Sequence, residues 1–368
     1  MQISRAAKGR GATRNGAGRF ERQQHAAVDD GWGSLEALLE AASPPRTELF
    51  ADASRTIIAR NTSPDIPFDR SINPYRGCEH GCIYCYARPS HNCLGLSSGL
   101  DFETRLFIKH DAAELLKYAL ARTGYIPAPL ALGSNTDPYQ PIERRLQVTR
   151  RILEVLAESR HPVSIVTKSA AVLRDLDLLV PMARQGLASV ALSITTLDPE
   201  LARKLEPRAA APHRRLAAIR ELSTAGVPTA LSLAPVIPGL TDHEIERILE
   251  AAAGAGATAA SWILLRLPHD VKELFEDWLD NHYPLRKAKV LSAVRQCRDG
   301  ALNDPDFGSR MRGRGPVAEL IRRRFARAAE RLGLAERRLN LRSDLFRAPG
   351  RTLPDNAAQL GLFDQLPG

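Results

Sequence analysis

Residues 73–86 read Asn-Pro-Tyr-Arg-Gly-Cys-Glu-His-Gly-Cys-Ile-Tyr-Cys-Tyr, and they contain three of the five cysteines of this 368-residue chain. Cys78, Cys82 and Cys85 are spaced Cys-x3-Cys-x2-Cys. Closed zinc and iron–sulfur sites use four protein ligands, so three thiolates predict a cluster in which one iron stays open to an exchangeable ligand. The stretch therefore predicts a metal cluster that also binds a second molecule.

Two alternatives compete with an iron–sulfur cluster. One is a zinc site completed by His80, His91 or Cys93, and the other is a set of ordinary buried thiols. Zinc sites usually combine a Cys-x2-Cys pair with a second, distant pair of ligands. Only one such half-site is present, and the remaining cysteine, Cys297, is far away in the sequence. The spacing favours the cluster.

The cysteine count and the hydropathy predict a cytoplasmic protein. An odd number of cysteines, three of them in one loop, leaves no disulfide framework, which indicates a reducing compartment. The N-terminal residues lack the apolar segment of a secretory signal, and no apolar run approaches membrane-spanning length. We therefore expect no membrane association.

The net charge of +9 permits a polyanionic partner such as DNA or RNA. The excess is concentrated between Phe307 and Arg351, which contain thirteen arginines and four acidic residues. A run of charge is also typical of a solvated helix face, so both interpretations stay open.

Short apolar segments alternate with helical patterns through the middle of the chain. The predicted strands are Ile72–Arg76, Leu130–Ser134, Val163–Thr167, Ser189–Ile194, Thr229–Leu233 and Ala259–Leu265. A capping-box pattern, Thr241-Asp242-His243-Glu244, predicts the start of one intervening helix. Six β/α units predict an α/β fold of the partial (β/α)6 TIM-type barrel, with the site at the carboxyl ends of the strands.

Four regions follow from this pattern. Residues 1–65 form a polar leader that we expect to be loosely ordered, and residues 66–267 form the barrel core. Residues 268–343 form a helical, arginine-rich extension with helices over Val271–Asp280, Pro284–Cys297 and Pro316–Leu332. Residues 344–368 form a polar, flexible tail.

We call the segment that carries Cys78, Cys82 and Cys85 the cysteine loop. This loop and the order of the strands resemble the spore photoproduct lyase-like group of the radical S-adenosylmethionine (SAM) superfamily, often labelled "DNA repair photolyase". The resemblance covers about Ser71 to Leu265. It implies a 4Fe–4S cluster on Cys78, Cys82 and Cys85 whose open iron binds SAM. It further implies reduction by a flavodoxin- or ferredoxin-type donor and cleavage of SAM to a 5′-deoxyadenosyl radical.

The resemblance also implies the reaction class, a lyase acting on nucleic acid in DNA repair. One alternative is a radical SAM enzyme that modifies a protein or a small metabolite. A further alternative, from another class, is a non-catalytic zinc or nucleic-acid-binding protein. Steep salt dependence of binding to DNA or RNA would favour the first, because phosphate contacts release counterions.

Residues for SAM are implied by the same resemblance. Tyr84 matches a position near the SAM adenine, and Lys168 and Ser193 match residues that contact the SAM carboxylate. A lysine is a suitable partner for that carboxylate. Further residues at strand ends are expected to line the SAM cavity: Ser134, Asn135 and Thr195.

One position departs from the family pattern. Spore photoproduct lyase uses a cysteine at the end of its second barrel strand to return a hydrogen atom, assisted by tyrosines that Tyr84 and Tyr86 match. Ser134 stands at that position here. A serine O–H bond is too strong to act as a thiol does, so the resemblance does not carry over this step. Cys93 is the spare thiol nearest in sequence and becomes the candidate donor.

The tail contains one short motif. Gln359-Leu360-Gly361-Leu362-Phe363 resembles the peptide with which bacterial polymerases and repair proteins dock on the sliding clamp. A hydrophobic pocket would bury the leucines and the phenylalanine. The alternative is a C-terminal latch that folds back on the barrel.

Overall fold

The computed structural model describes residues 9–16, 18–20, 46–336 and 340–350. Its strands are β1 Glu48–Ala51, β2 Ile58–Arg60, β3 Arg70–Ile72, β4 Tyr75–Arg76, β5 Arg105–Ile108, β6 Leu130–Leu132, β7 Val163–Thr167, β8 Ala188–Ser193, β9 Thr229–Val236, β10 Ala259–Leu264 and β11 Ala335–Glu336.

Its α-helices are α1 Asp101–Thr104, α2 Ala112–Leu120, α3 Glu143–Leu146, α4 Val148–Glu158, α5 Leu176–Arg184, α6 Pro199–Leu205, α7 Pro212–Thr224, α8 Ile245–Gly254, α9 Val271–His282, α10 Pro284–Gln296 and α11 Gly315–Arg331. Three 3-10 helices cover Arg88–Leu94, Ala170–Asp175 and Asp242–Glu244.

An eight-stranded sheet has the order β11-β10-β9-β8-β7-β6-β3-β2. Within this sheet every pair of neighbouring strands is parallel except β2 and β3. β2 lies at the edge and runs antiparallel to β3. The strands are apolar because they are covered by helices, as parallel strands generally are. The predicted α/β fold with a partial TIM-type barrel and a helical C-terminal region is confirmed.

The first predicted strand, Ile72–Arg76, is split in two. β3 ends at Ile72 in the barrel sheet, whereas β4 pairs with β5 in a separate three-stranded sheet, β1-β5-β4. Pro74 has no N–H to donate to a continuing ladder, and the chain leaves the barrel there. This break directs the chain into the cysteine loop.

The leader is more ordered than we expected in its described part. β1 and β2 lie within residues 46–65, and Ala12 is fully buried. The backbone N–H groups of Gly11 and Ala12 donate to the Glu103 carboxylate at 3.0 and 2.8 Å. Residues 9–16, which we call the N-terminal arm, are therefore held against the core by hydrogen bonds and by the burial of Ala12 in an apolar cluster.

Part of the predicted flexible tail also contacts the core. The Phe346 ring lies 5.4 Å from the Tyr125 ring and 5.5 Å from the His161 ring, and Arg347 N donates to Ser159 O. The predicted clamp-binding peptide, residues 359–363, lies outside the described residues. No helix in the described ranges has the length and hydropathy needed to cross a membrane.

Candidate functional site

The carboxyl ends of the barrel strands bring together most of the predicted site residues. The cysteine loop follows β3 and β4, Ser134 follows β6, Lys168 follows β7, and Thr195 follows β8. This edge is where active sites of β/α barrels lie.

The cysteine loop turns at two glycines. Gly77 and Gly81 have φ angles of 81° and 67°, a backbone region that favours glycine. A Cβ atom on Gly77 would lie 2.7 Å from Leu106 Cδ2 and 2.9 Å from Phe102 O, so no side chain fits. The backbone can therefore follow the tight path that carries all three cysteines.

The three thiols fit an iron–sulfur cluster by their type, burial and arrangement. Cys85 packs against the apolar clusters that contain Cys78 and Cys82, which are 7% and 8% exposed. Burial raises the pKa of all three thiols, and a metal would displace their protons on binding. Among the described residues no three metal-binding side chains are grouped tightly enough for a single ion. The cysteines of an iron–sulfur cluster do not need to be this close together, because each of them binds a different iron.

The histidines that could complete a zinc site have other partners. His80 Nδ1 lies 3.3 Å from Asp137 Oδ2, and His91 Nε2–H donates to Arg105 O at 2.9 Å. Burial raises the pKa of Asp137, but His80 and hydrogen bonds from residues 167 and 168 hold it at about 2. Cys93 is exposed on its 3-10 helix. His91 Nδ1 is buried without a hydrogen-bond partner among the described residues, so its carbonyl contact alone does not exclude it as a ligand. The described residues contain no group of three Cys, His, Asp or Glu side chains suited to one ion, and this favours the cluster over zinc.

A buried ion pair holds the cysteine loop. Arg88 Nη2 lies 2.5 Å from Glu103 Oε1, and both side chains are fully buried. Arg88 also donates to the carbonyl oxygens of Gly81 and Cys82 at 3.1 and 2.9 Å. One arginine thus fixes the backbone on both sides of Cys82, while Glu103 links that backbone to the N-terminal arm.

Glu206 is the centre of a second buried network. Its carboxylate accepts hydrogen bonds from the Tyr84 and Thr195 hydroxyls and pairs with Arg215. Burial raises the pKa of Glu206, but Arg215 and Lys168 hold it at about 2. The Tyr84 phenol is therefore held in place by the hydrogen bond that its hydroxyl donates to the Glu206 carboxylate.

Lys168 is a cation whose charge acts on two of the three cysteines. Its charge opposes the rise in pKa that burial imposes on Cys82 and Cys85. Lys168 Nζ donates to Ala234 O at 3.2 Å and lies 5.9 Å from the centre of the Tyr84 ring. Arg88 and Arg215 also act on these cysteines, but both are bound to buried carboxylates. Among the described residues the Lys168 ammonium contacts only a carbonyl and a ring, so it is placed to receive an anionic group.

A third set of contacts surrounds Asn73. Asn73 Oδ1 accepts the N–H of Asn135 at 3.0 Å, and Asn73 Nδ2 lies 3.3 Å from Ser134 Oγ. The Tyr86 hydroxyl donates to Ser134 O. The structure therefore brings Tyr86, Ser134 and Asn135 together. Ser193 is buried at the end of β8, where its carbonyl accepts from Arg215.

The arginines of the C-terminal extension fall into two groups. On α11, Arg322 and Arg323 both pair with Glu319, while Arg324 and Arg331 pair with residues of α8. In the other group, Arg298 donates to Leu265 O just beyond β10 and Arg312 donates to Trp262 O within it. Arg310 lies beside them and pairs with Asp65. The positive charge near the site therefore comes from the loop before α11.

Several residues of the site were not predicted as such. Arg88, Glu103 and Arg215 are buried charged residues from separate elements, and only their pairing in three dimensions shows their role. Glu206 could be recognised as a charged residue after β8 but not as the centre of a network. A cavity of about 560 Å³ beside α6 is lined in part by Glu206 and Arg215.

Comparison with known proteins agrees with this geometry. The family model "Radical SAM superfamily" matches residues 72–252. An uncharacterized protein of Mycobacterium tuberculosis is 38% identical over 259 residues, which cover 70% of this chain and 74% of that protein. A protein of Pseudomonas phage M6 named "Radical SAM Nalpha-GlyT isomerase" is 26% identical over 185 residues, covering 50% of this chain and 36% of that protein.

Among solved structures, a spore photoproduct lyase variant with bound AdoMet and dinucleoside spore photoproduct matches with a TM-score of 0.54 and 17% identity. The match covers 78% of this chain and 80% of that one. At this identity the likeness shows a shared fold. Together with the matching family model, the relative in M. tuberculosis and the three-cysteine loop, it leads to one assignment: the chain belongs to the radical SAM superfamily.

Proposed function

We propose that this protein is a radical SAM enzyme that holds a 4Fe–4S cluster on Cys78, Cys82 and Cys85 and acts on nucleic acid. The observation that carries the proposal is the placement of Lys168, after β7, at the same barrel edge as a loop with three thiols, two of them buried and one partly buried. When bound, the cluster supplies the electron that cleaves SAM to a 5′-deoxyadenosyl radical.

The chain's own residues bind and orient SAM. Lys168 holds the carboxylate, because its charge already acts on the space next to Cys82 and Cys85. Ser193 and Thr195 belong to the same strand end, and Glu206 fixes Thr195 and Tyr84 so that neither side chain moves. Ser134 and Asn135 contact SAM from the end of β6.

Tyr86 is the stronger candidate for hydrogen transfer. Its phenol follows Cys85 directly, is 47% exposed, and donates to the carbonyl of Ser134. The Tyr84 phenol is instead buried against the Glu206 carboxylate. Burial raises the pKa of Tyr84, and the negative charge of Glu206 raises it further. Cys93 remains a prediction as a thiol donor, and its exposed position on the 3-10 helix does not favour it.

Nucleic acid is the favoured substrate class. The net charge is +9, and two arginines of the extension, Arg298 and Arg312, donate to backbone carbonyls at the carboxyl end of β10. One similar structure is titled as complexed with dinucleoside spore photoproduct, although that similarity concerns the fold. Modification of a protein or small metabolite is the second candidate. A flavodoxin or ferredoxin in a reducing cytoplasm would supply the electron.

Anaerobic reconstitution tests the proposal. The wild type should bind about four irons per chain and convert SAM to 5′-deoxyadenosine with a chemical reductant, since three thiolates hold a 4Fe–4S cluster. The triple Cys78→Ala, Cys82→Ala, Cys85→Ala variant should do neither, and Cys93→Ala, which removes an exposed thiol, is the matched control. A triple variant with full iron and SAM cleavage would disprove the assignment.

Docking on a sliding clamp through Gln359–Phe363 stays a separate proposal. Titration of a labelled peptide of residues 351–368 with the clamp tests it, and Leu362→Ala with Phe363→Ala should abolish binding if the apolar side chains supply the energy. No binding at high micromolar clamp would reject it.

A further inference from the structure

Arg266 is a partly buried cation at the mouth of the barrel. It lies just beyond β10, and its guanidinium carbon is 5.4 Å from the centre of the Tyr86 ring. Its Nη1 is 3.7 Å from Met311 Sδ, and its Nε is buried without a hydrogen-bond partner in the described ranges. Arg266 has no carboxylate at ion-pair distance among those residues, so its charge is not compensated by contact.

The surroundings of Arg266 add to the positive charge. Burial lowers the pKa of Arg266, and the charge of Arg310 lowers it further, against weaker opposing effects of Asp65 and Asp304. Asp65 is already engaged, because Arg310 Nε lies 2.5 Å from its carboxylate. Leaving a positive charge partly desolvated without a partner is unfavourable. A bound anion would remove that cost.

A third arginine fixes this arrangement. Arg298 is 3% exposed and donates through Nε and Nη2 to Leu265 O, and through Nη2 to Arg310 O. Its Nη1 is buried without a partner among the described residues. The N–H of Leu264 also donates to Met311 O at 2.9 Å. The backbone just before Arg266 is thereby joined to the backbone at Arg310 and Met311. This link preorganises the two guanidinium groups.

We propose that Arg266, stacked on Tyr86 and flanked by Arg310, binds a backbone phosphate of the nucleic-acid substrate. The inference rests on the proposed function and adds the group by which the substrate is held. A planar guanidinium that stacks on an aromatic ring can still bind phosphate through its edge.

The test is fluorescence anisotropy of the reconstituted protein with a labelled single-stranded DNA and the same RNA sequence, between 50 and 200 mM KCl. Arg266→Gln should weaken binding about tenfold and lower the salt slope by about one, because one phosphate contact is lost. Arg266→Lys keeps the charge, so it should weaken binding about threefold with the slope unchanged. If Arg266→Gln loses iron or thermal stability, Arg266→Lys decides the question.

Arg322→Gln on α11 is the matched control, since Arg322 is exposed and paired with Glu319. Its affinity should equal that of the wild type. Unchanged binding by both Arg266 variants, or weakening by Arg322→Gln alone, would overturn the inference. SAM cleavage without binding of either oligonucleotide would overturn it while leaving the radical SAM assignment intact. Absence of SAM cleavage by the wild type would instead refute the proposed function.

Discussion

Arg88 and Glu103 form an ion pair in which neither side chain is exposed. The pair joins the cysteine loop to the N-terminal arm, which is far from it in sequence. Arg88 donates to carbonyls of the cysteine loop, and Glu103 accepts from the backbone of the N-terminal arm. The pair therefore transmits the position of the arm to the loop that carries the thiols.

Removing Glu103 should destabilise the protein and its cluster. Breaking one partner of a buried ion pair leaves the other charge uncompensated and costs about 3–5 kcal/mol. Glu103→Ala should lower the free energy of unfolding in urea by this order and reduce iron per chain. Glu48→Gln, which affects an exposed pair with Arg105, should change stability by less than about 1 kcal/mol. Equal effects of the two variants would contradict this role.

Gly11 provides a separate test of the arm. A Cβ on Gly11 would lie 1.8 Å from Gly81 O, a backbone atom that cannot move aside easily. Gly11→Ala should therefore detach the arm, increase its cleavage in limited proteolysis and reduce iron retention. Gly16→Ala is the matched control, because a Cβ there would contact nothing within 4 Å. An arm that is equally protected in both variants would show that Gly11 does not lie against the loop.

Lys168→Ala should weaken SAM binding by about 1.5–3 kcal/mol, the scale of a hydrogen bond to a charged group. The cluster should remain, because the three thiols are unchanged. Calorimetry with SAM on the reconstituted protein measures the change, and Lys204→Ala, which removes a partner of Glu200, should bind SAM normally. Full SAM affinity in Lys168→Ala would exclude Lys168 from the site.

Stability should fall between about pH 6.5 and pH 4 because of His161. Burial lowers the pKa of His161 to about 4. In the unfolded chain His161 binds its proton near pH 6.5. Between pH 6.5 and pH 4 the unfolded chain therefore binds more protons than the folded chain. Stability is then full above pH 6.5 and decreases by up to about 1.4 kcal/mol per pH unit as the pH falls.

Urea unfolding at several pH values measures this slope. His161→Gln should flatten it, whereas His110→Gln, at an exposed position, should leave it unchanged. Asp137 and Glu206 keep their charge over this range, since their pKa values are about 2. An unchanged slope in His161→Gln would assign the pH dependence to other groups.

The barrel strands could be predicted because each is a short apolar run between polar turns. Val163–Thr167 has the predicted bounds, and most other barrel strands differ by a few residues. Local rules were less reliable where distant groups compete. The predicted capping box is not formed, because Glu244 accepts from Thr196 and Leu197 N, while Thr241 Oγ1 accepts from Ile237 N.

The candidate site was predictable only where its signal is local. The spacing of Cys78, Cys82 and Cys85 is contained in eight consecutive residues, whereas Lys168 is predicted from the resemblance to the lyase-like group and stays a prediction. Glu206 and Arg215 are recognisable only as a pair, because a buried charge needs its partner to be interpreted. Arg266 stands directly after a predicted strand, but nothing local distinguishes it from the many other arginines.

The hydrogen bonds between the N-terminal arm and Glu103 have a consequence during translation. Ala12 leaves the ribosome 91 residues before Glu103, its acceptor. The arm therefore cannot dock until all three cysteines and Arg88 have been synthesised. Docking therefore follows the synthesis of the cysteine loop, which leaves the nascent thiols accessible to iron delivery until Glu103 has been added.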